Sequence, residues 1–600
     1  MPDIQRHEFD VIVIGAGGAG LRAAIEVAAQ GMRVALICKS LLGKAHTVMA
    51  EGGAAAALAN INPEDNWKVH FRDTMRGGKM HNNWRMAQLH AQQSPDRIRE
   101  LEAWGALFDR TPEGRINQRP FGGHTYERLA HVGDRTGLEM IRVLQDKGVH
   151  TGIEVFMECT VIHVPTVDGR AAGAVAYWRE NGRFIFFSAK AVVLATGGIG
   201  KAWQITSNSW EYTGDGHALA LEAGADLIDM EFVQFHPTGM VWPPSVKGIL
   251  VTEGVRGEGG ILLNSEGKRF MFEYVPDMFK GDYADTEDEA DRWVIGDRAK
   301  NRRPPELLTR DVIARAIKKE VEAGRGSEHG GVYLNVAAKR SPEYIQKKLP
   351  SMYHQFKELA GIDITKDPME VGPTTHYMMG GIKVDPETQE STLPGLFAAG
   401  EVAGGMHGAN RLGGNSLSDL VVFGRLAGMG AAAYAKKLGT APKVPEAEIE
   451  KAIAEAVAPF DRPEGENPFA VQAALQKIMQ DDASIVRDDA GLKKALDGIE
   501  KLKPRITKVG VGGNREYNPG WNTAIDLKSQ VIVAEAVARA GLERTESRGA
   551  HTRIDHPNSV PEWERREIIV RMRDGQIQIE TVDQPELPND LKELIEKGAE

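Results

Sequence analysis

Residues 9–37, FDVIVIGAGGAGLRAAIEVAAQGMRVALI, open with an apolar run that ends at Ile14. They pass through glycine and alanine, continue with apolar residues at helical spacing, and close after Gly31 in a second apolar run. A short continuous apolar run bounded by glycine is the pattern of a strand buried on both faces, so the segment predicts strand, helix, strand. The strand-then-small-residue pattern recurs in KAVVLATGGIG, 190–200, and in PGLFAAGEVAGG, 394–405. Three such segments separated by unrelated sequence predict one nucleotide-binding sheet interrupted by an inserted domain. Within the insertion, DVIARAIKKEVEAG (311–324) predicts a helix with Asp311 at its start, while the acidic-then-basic stretch 282–303 reads as a solvated loop or a docking surface. Beyond about residue 430, EAEIEKAIAEAVAPF, AVQAALQKIMQDDASIV and LKSQVIVAEAVARAGL have helical periodicity and are divided by turn formers such as DRPEGENPF.

These patterns predict an α/β multidomain protein. A Rossmann-like nucleotide-binding domain in two parts, 1–231 and 363–430, is interrupted by an α+β capping domain at 232–362. A helical domain (431–545) and a small C-terminal domain of short strands and a closing helix (546–600) follow.

Composition narrows the function without fixing it. At 42% hydrophobic and 26% charged residues, with a mean hydropathy of −0.33, the 600-residue chain has the make-up of a soluble globular protein. A net charge of −11 argues against a nucleic-acid partner. Two cysteines, Cys38 and Cys159, are too few for an iron-sulfur cluster or a zinc site within this chain, and they point to a reducing, cytoplasmic compartment. No metal is expected. The N-terminal sequence reads as lacking a secretory signal, and apolar stretches such as VVFGRLAGMGAAAYA are too short and too charged to span a bilayer.

Candidate chemistry begins at Gly15, Gly17 and Gly20. Their G-x-G-x-x-G spacing after a strand suits a tight turn, close approach of backbone to a pyrophosphate, and a helix N-terminus that supplies donors. The acid that would hold a ribose at the end of the second strand is absent; Cys38, Lys39 and Ser40 stand there, which counts against a simple NAD site. Six further segments place polar groups beside glycines or at a helix start: KAHTVMAEGG (His46), EFVQFHPTGM (His236), LVTEGVRGEGG (Thr252, Glu253, Arg256), LLTRDVIAR (Arg310), GPTTHYMMGGI (His376) and HGANRLGGNSL (Arg411). Each alone reads as a solvated loop histidine or a surface ion pair. Together, two histidines, a threonine hydroxyl and two arginines suit a small dianion, because Arg forks bind carboxylates bidentately.

With GAGGAG, AHTVMAEGG, QRPFGGH, ATGGIG, TGDG, QFHPTG, TEGVRGEGG, HYMMGGI, HGANRLGGNSL and ESRGAH in this order, the sequence resembles the flavoprotein subunit of the succinate dehydrogenase and fumarate reductase family from about residue 8 to the end. The resemblance implies FAD attached covalently through His46 and contacted by Gly15, Gly17, Gly20, Lys39, Gly53, Asp215, Glu401 and Ser416. It implies that His236, Thr252, His376 and Arg411 hold succinate or fumarate, that Arg310 is the proton shuttle, and that Glu253 and Arg256 relay protons to it. Ala45 replaces a serine common before the histidine. The implied enzyme is a succinate:quinone oxidoreductase whose electrons pass to an iron-sulfur subunit, then to a membrane anchor, with menaquinone as the expected pool. Its location would be peripheral on the cytoplasmic face of the membrane. Glu51 stands where quinol-fumarate reductases carry glutamate and many succinate-oxidising relatives carry glutamine, so fumarate reduction remains open; its negative charge is expected to oppose flavin reduction. L-aspartate oxidase, whose matching loop usually lacks histidine, and a catalytically silent flavoprotein are the other readings.

Overall fold

Four parallel strands end level with one another, and the site is built on that edge. Gln5–Ile14 lies between Val34–Ile37 and Phe184–Leu194, and Leu396–Ala398 pairs with the far side of Phe184–Leu194. The register sets Ile14 beside Ile37 and Leu194, and Leu194 beside Ala398. Val11–Ile14 and Val34–Ile37 are buried on both faces, as their unbroken apolar runs predict. Glu154–Phe156 extends the sheet in parallel at one end, and the antiparallel strands Gly173–Trp178 and Cys159–His163 extend it at the other. The computed structural model describes residues 4–596, apart from residue 299.

Two helices lie against this sheet at unusually close range. Gly18–Ala29 follows the first strand, and Asn415–Leu438 packs along it. A Cβ on Gly424 would fall 2.6 Å from the Ala19 carbonyl oxygen, and one on Gly428 would fall 2.6 Å from that of Ala23, so any larger residue would push the helices apart. The close approach brings both N-termini to the ends of the parallel strands.

The inserted region folds around its own antiparallel sheet, in the order Val233–Met240, Met369–Met378, Val332–Asn335, Ile261–Leu263. Its separate apolar core includes Leu262, Phe270, Ile313, Ile317, Val332 and Met369. The strand Met369–Met378 is thus hydrogen-bonded into the cap sheet, although it follows the expected domain boundary at 362. Residues 282–303 are not a simple solvated loop: they contain the helix Glu287–Val294, bury Tyr283 and Trp293, and reach the nucleotide-binding domain through Arg298 to Glu127 (2.7 Å) and Arg303 to the Thr125 carbonyl (2.6 Å). The Asp134 carboxylate accepts the Ser351 N–H at 2.8 Å at the start of the cap helix Pro350–Ala360, where an anion complements the free amides.

Helices Glu446–Val457, Pro468–Asp482, Asp489–Ile506 and Pro519–Glu543 form the helical portion. The C-terminal hairpin Arg566–Arg573/Gln576–Asp583 joins Leu227–Ile228 in a small sheet. Behind it the fully buried Arg544 lies among Asp229, Glu231 and Glu546, with Arg548 as a second cation on Glu546. Among the described residues no helix is long and apolar enough to cross a membrane, and no group of three His, Cys, Asp or Glu side chains suits a metal ion.

Five histidines away from the strand edge, His70, His90, His124, His217 and His551, are buried, and burial holds each in its neutral form; His124 and His217 are brought down to about 4. The unfolded chain takes up their protons near pH 6.5 and the folded chain does not, so between these limits the unfolded state binds more protons and stability falls as pH falls. We expect urea midpoints to drop steeply from pH 6.5 to about pH 4, each histidine contributing up to ~1.4 kcal/mol per pH unit. A midpoint flat across that window would show that these rings are already charged in the native state.

Candidate active site

One continuous cavity runs along the strand edge, from Lys39 and Asp215 at one end, past the glycine turn and His46, to His236, Arg310 and Arg411 under the cap. At its centre Gly15 has φ +108°, which a side chain would strain, and a Cβ on Gly20 would sit 1.8 Å from the Gly15 carbonyl oxygen. The turn therefore closes tightly on itself and presents the N-terminus of Gly18–Ala29, with its free amides, to the cavity. Thr47 packs beside it, its hydroxyl accepting from the Gly18 N–H at 3.3 Å. A backbone-lined cradle joined to a long cavity fits the pyrophosphate and the two ends of FAD.

At the far end, where an acidic residue was missing from the sequence, Lys39 is held by two acids. Its Nζ donates to Asp215 at 2.8 Å, to Asp526 at 2.6 Å and to the Thr213 hydroxyl at 3.0 Å. Burial alone would strip the ammonium of its proton, but the two carboxylates outweigh it and raise its pKa; burial pushes Asp526 up to about 6 against the opposing pull of Lys39. Asp526 arrives from the helical portion, 487 positions away, and no local pattern in the sequence announces it.

His46 begins a short 3₁₀ turn, His46–Met49, on the cavity wall. Its Nε2 accepts from the Asn208 amide at 3.3 Å, its Nδ1 is buried without a partner, and burial lowers its pKa to about 4, so the ring is neutral at physiological pH. Glu401 accepts the Met378 N–H at 3.0 Å, and burial raises its carboxyl to about 8, leaving it mostly protonated at pH 7. Glu51 is also raised well above the carboxylate range, first by burial and then by the charge of Asp134. Burial thus works against the negative charge expected at this position. Gly53 and Ser416 line the same cavity.

The residues expected to hold a dianion meet at the capped end. His236 comes from Val233–Met240 and His376 from the neighbouring strand, with ring centroids 5.0 Å apart. A turn fixes His236, whose Nδ1 accepts from the Thr238 N–H at 3.2 Å and so leaves the ring N–H on Nε2, and Ser207 fixes His376, its hydroxyl 2.8 Å from Nδ1. Burial, reinforced by Arg310, keeps both rings neutral. Thr252 is buried beside them. Arg411 precedes the helix Asn415–Leu438 and donates from Nη1 to Ser416 at 2.8 Å, while its Nε is buried without a partner.

Arg310 opens the cap helix Arg310–Glu322 and is buried. Its Nε donates to Glu253 Oε2 at 3.0 Å and its Nη1 to Gln234 at 3.2 Å. Gln234 in turn donates to Asn410 at 3.0 Å and to the Arg411 carbonyl at 2.8 Å, which ties the two arginines' loops together. Neither Gln234 nor Asn410 was singled out in the sequence. Burial alone would raise Glu253, but Arg310 and Arg256 outweigh it and keep the carboxylate ionised. Arg256 lies 3.6 Å from Glu253, is fully buried, and donates to the Glu306 carbonyl at 2.6 Å. The arrangement is an apolar-walled pocket rich in donors, with a guanidinium joined to a carboxylate at one side: it can clamp two carboxylates and exchange one proton.

Comparison with known proteins gives the same picture from a different direction. Residues 10–417 match the family described as FAD binding domain, and 472–593 match the fumarate reductase flavoprotein C-terminal family. The chain is 44% identical to a component of the CoM/CoB fumarate reductase of Methanothermobacter marburgensis, over 95% of its own length and 99% of that protein. Among solved structures, it is similar to Mycobacterium smegmatis Sdh1 in complex with UQ1, at 56% identity and a TM-score of 0.86, covering 99% of this chain and 97% of that one. It is also similar to E. coli quinol fumarate reductase FrdA, solved with a single substitution, at 34% identity and a TM-score of 0.89, covering 98% of each chain.

The lysine end of the cavity offers a direct check. Lys39→Met leaves two buried acids without their cation, and we expect a loss of about 3 kcal/mol in urea unfolding, partly restored in the Lys39→Met/Asp526→Asn double variant. Equal stability of the single and double variants would show that the triad carries no coupling.

Proposed function

The chain belongs to the succinate dehydrogenase and fumarate reductase family of flavoprotein subunits, an FAD-dependent oxidoreductase family, and from that premise we propose that it interconverts succinate and fumarate with the residues assembled under the cap. The observation that carries the reading is the convergence of His236, Thr252, His376, Arg411 and Arg310, drawn from separate chain segments, on the capped end of a single cavity that begins at a glycine cradle. FAD, when bound there, accepts or returns the hydride.

In this reading Arg411 pairs with one substrate carboxylate and His236, Thr252 and His376 donate to the dianion. The buried, dry walls strengthen each contact because water does not compete. Arg310 takes the proton from the carbon opposite the hydride, or returns it in the reverse direction. A guanidinium already holds its proton and cannot accept another, but Arg310 lies against an ionised carboxylate, so its Nε proton passes to Glu253 as the proton from carbon arrives. Arg256 would extend the relay. Closure of the cap excludes water while these transfers occur.

His46 suits a covalent bond to the flavin's 8α-methyl carbon: it is a buried neutral ring on the cavity wall whose Nε2 keeps its lone pair, met only by the Asn208 amide at 3.3 Å. Gly15, Gly17, Gly20 and Gly53 would let backbone approach FAD, Lys39 and Asp215 would lie at one end of it, and Glu401 and Ser416 would flank it. Burial of Glu51 weakens the electrostatic argument for fumarate reduction; we assign succinate oxidation as the forward reaction, with quinol-driven fumarate reduction as its reverse. Electrons must leave the chain, since its only two cysteines, Cys38 and Cys159, are both buried and no metal-binding cluster is found among the described residues. A membrane anchor that delivers electrons to quinone, reached through an iron-sulfur subunit, completes the complex and holds the flavoprotein on the cytoplasmic side of the membrane.

Two measurements test this. Flavin fluorescence should remain on the denatured polypeptide in a gel and vanish in His46→Ser; its absence from the wild type would remove the covalent bond and restore L-aspartate oxidase as a candidate. On an electrode, the protein should give catalytic currents with both succinate and fumarate and none with aspartate. Arg310→Gln should lower both currents by about 10²–10⁴-fold with FAD retained, and an Arg310→Gln variant with undiminished current would end the assignment of the proton shuttle.

A further inference from the structure

Arg411 is a buried cation in an unusual position. Among the described residues no carboxylate lies within ion-pair distance of its guanidinium, and its single side-chain hydrogen bond goes to the neutral hydroxyl of Ser416. Such a group is free to turn about its last bonds unless a surface holds it flat. The surface is Tyr377: the guanidinium carbon stands 4.3 Å from the centroid of the tyrosine ring, within cation–π range, and both residues are buried. Tyr377 leaves the end of the strand Met369–Met378 one residue after His376, so the same backbone carries a histidine of the site and the platform beneath its arginine.

The tyrosine is itself anchored from behind. Its hydroxyl is 3.2 Å from Nε2 of His407, and the two rings meet edge to face with centroids 5.2 Å apart. The Asp419 carboxylate lies 3.9 Å from the same nitrogen, on the first turns of the helix Asn415–Leu438. His407 and Asp419 are both buried. A phenol whose hydroxyl donates to the His407 Nε2, with the Asp419 carboxylate adding its negative field nearby, is more electron-rich, and the ring face it offers a cation is correspondingly more negative. The line Arg411, Tyr377, His407, Asp419 thus joins a loop, a strand and a helix through side chains alone.

We infer that Tyr377, anchored by His407 and Asp419, is a positioning residue that holds the Arg411 guanidinium in the plane needed to grip a substrate carboxylate. The inference rests on the dicarboxylate reading above. Orientation by a ring face affects how well an anion is held more than how fast the bound anion reacts, so the signature is a binding loss with turnover largely kept.

The test compares the FAD-loaded wild type with Tyr377→Leu, Tyr377→Phe and Asp419→Asn, measuring malonate binding by calorimetry, KM and kcat for succinate, and FAD content. Tyr377→Leu removes the platform and should weaken malonate binding and raise KM by ~10-fold, with kcat changed less than ~3-fold. Tyr377→Phe keeps the ring and loses the anchor, so an intermediate loss of ~3-fold is expected, matched by Asp419→Asn. If Tyr377→Leu fails to fold, the Phe and Asn variants decide: unchanged malonate affinity and KM in both overturn the inference. A tenfold fall in kcat at unchanged KM also overturns it, since the residue would then act on the reaction rather than on Arg411. If the wild type itself binds no malonate and turns over neither dicarboxylate, the functional reading falls and this inference falls with it; normal wild-type binding with an unaffected Tyr377→Leu removes this inference alone.

Discussion

Everything at the site depends on how closely two helices can approach. Gly424 and Gly428 let Asn415–Leu438 lie against Ala19 and Ala23 with no side chain between them. That contact brings a second helix N-terminus to the strand edge where the first already points; the loop leading into it carries Arg411 and its first turn carries Ser416. The nucleotide cradle and the anion clamp are therefore registered against one another by backbone packing, which is stiffer than any pairing of long side chains.

Charge is handled in the opposite way at the two ends of the cavity. At the lysine end, each buried charge is met by an opposite one within hydrogen-bond distance. At the capped end, Glu253 serves Arg310 and Arg256, the histidines are kept neutral, and burial lowers Arg411 to about 9 with Arg310 adding to the effect. One cation too many in a dry pocket is costly in isolation and becomes favourable only when an anion arrives.

Much of this was legible in the chain. The apolar runs ending in glycine located three of the four parallel strands, because strands buried on both faces have a distinctive pattern. The histidines and arginines were visible because they stand beside glycines, where bulky neighbours are excluded. Periodicity could not reveal relations across long separations: that Asp526 meets Lys39, that Gln234 links Arg310 to the Arg411 loop, or that 282–303 packs a tryptophan and clasps Glu127 and Thr125 instead of trailing in solvent. Nor could it give the protonation of Glu51, since a carboxyl's charge is set by burial and by Asp134, neither of which has a sequence signature.

The contact between Lys39 and Asp526 also bears on how such a protein can be rearranged by descent. The helical portion looks like a cassette appended to a nucleotide-binding unit, with its own periodicity and turn-rich borders. Yet one of its acids, Asp526, holds the lysine that lines the cavity's far end. A recombination that exchanged this portion for another bundle would have to bring an acid to the same place or change the lysine at the same time. The boundary that looks most detachable along the chain is thus one that a buried ion pair crosses.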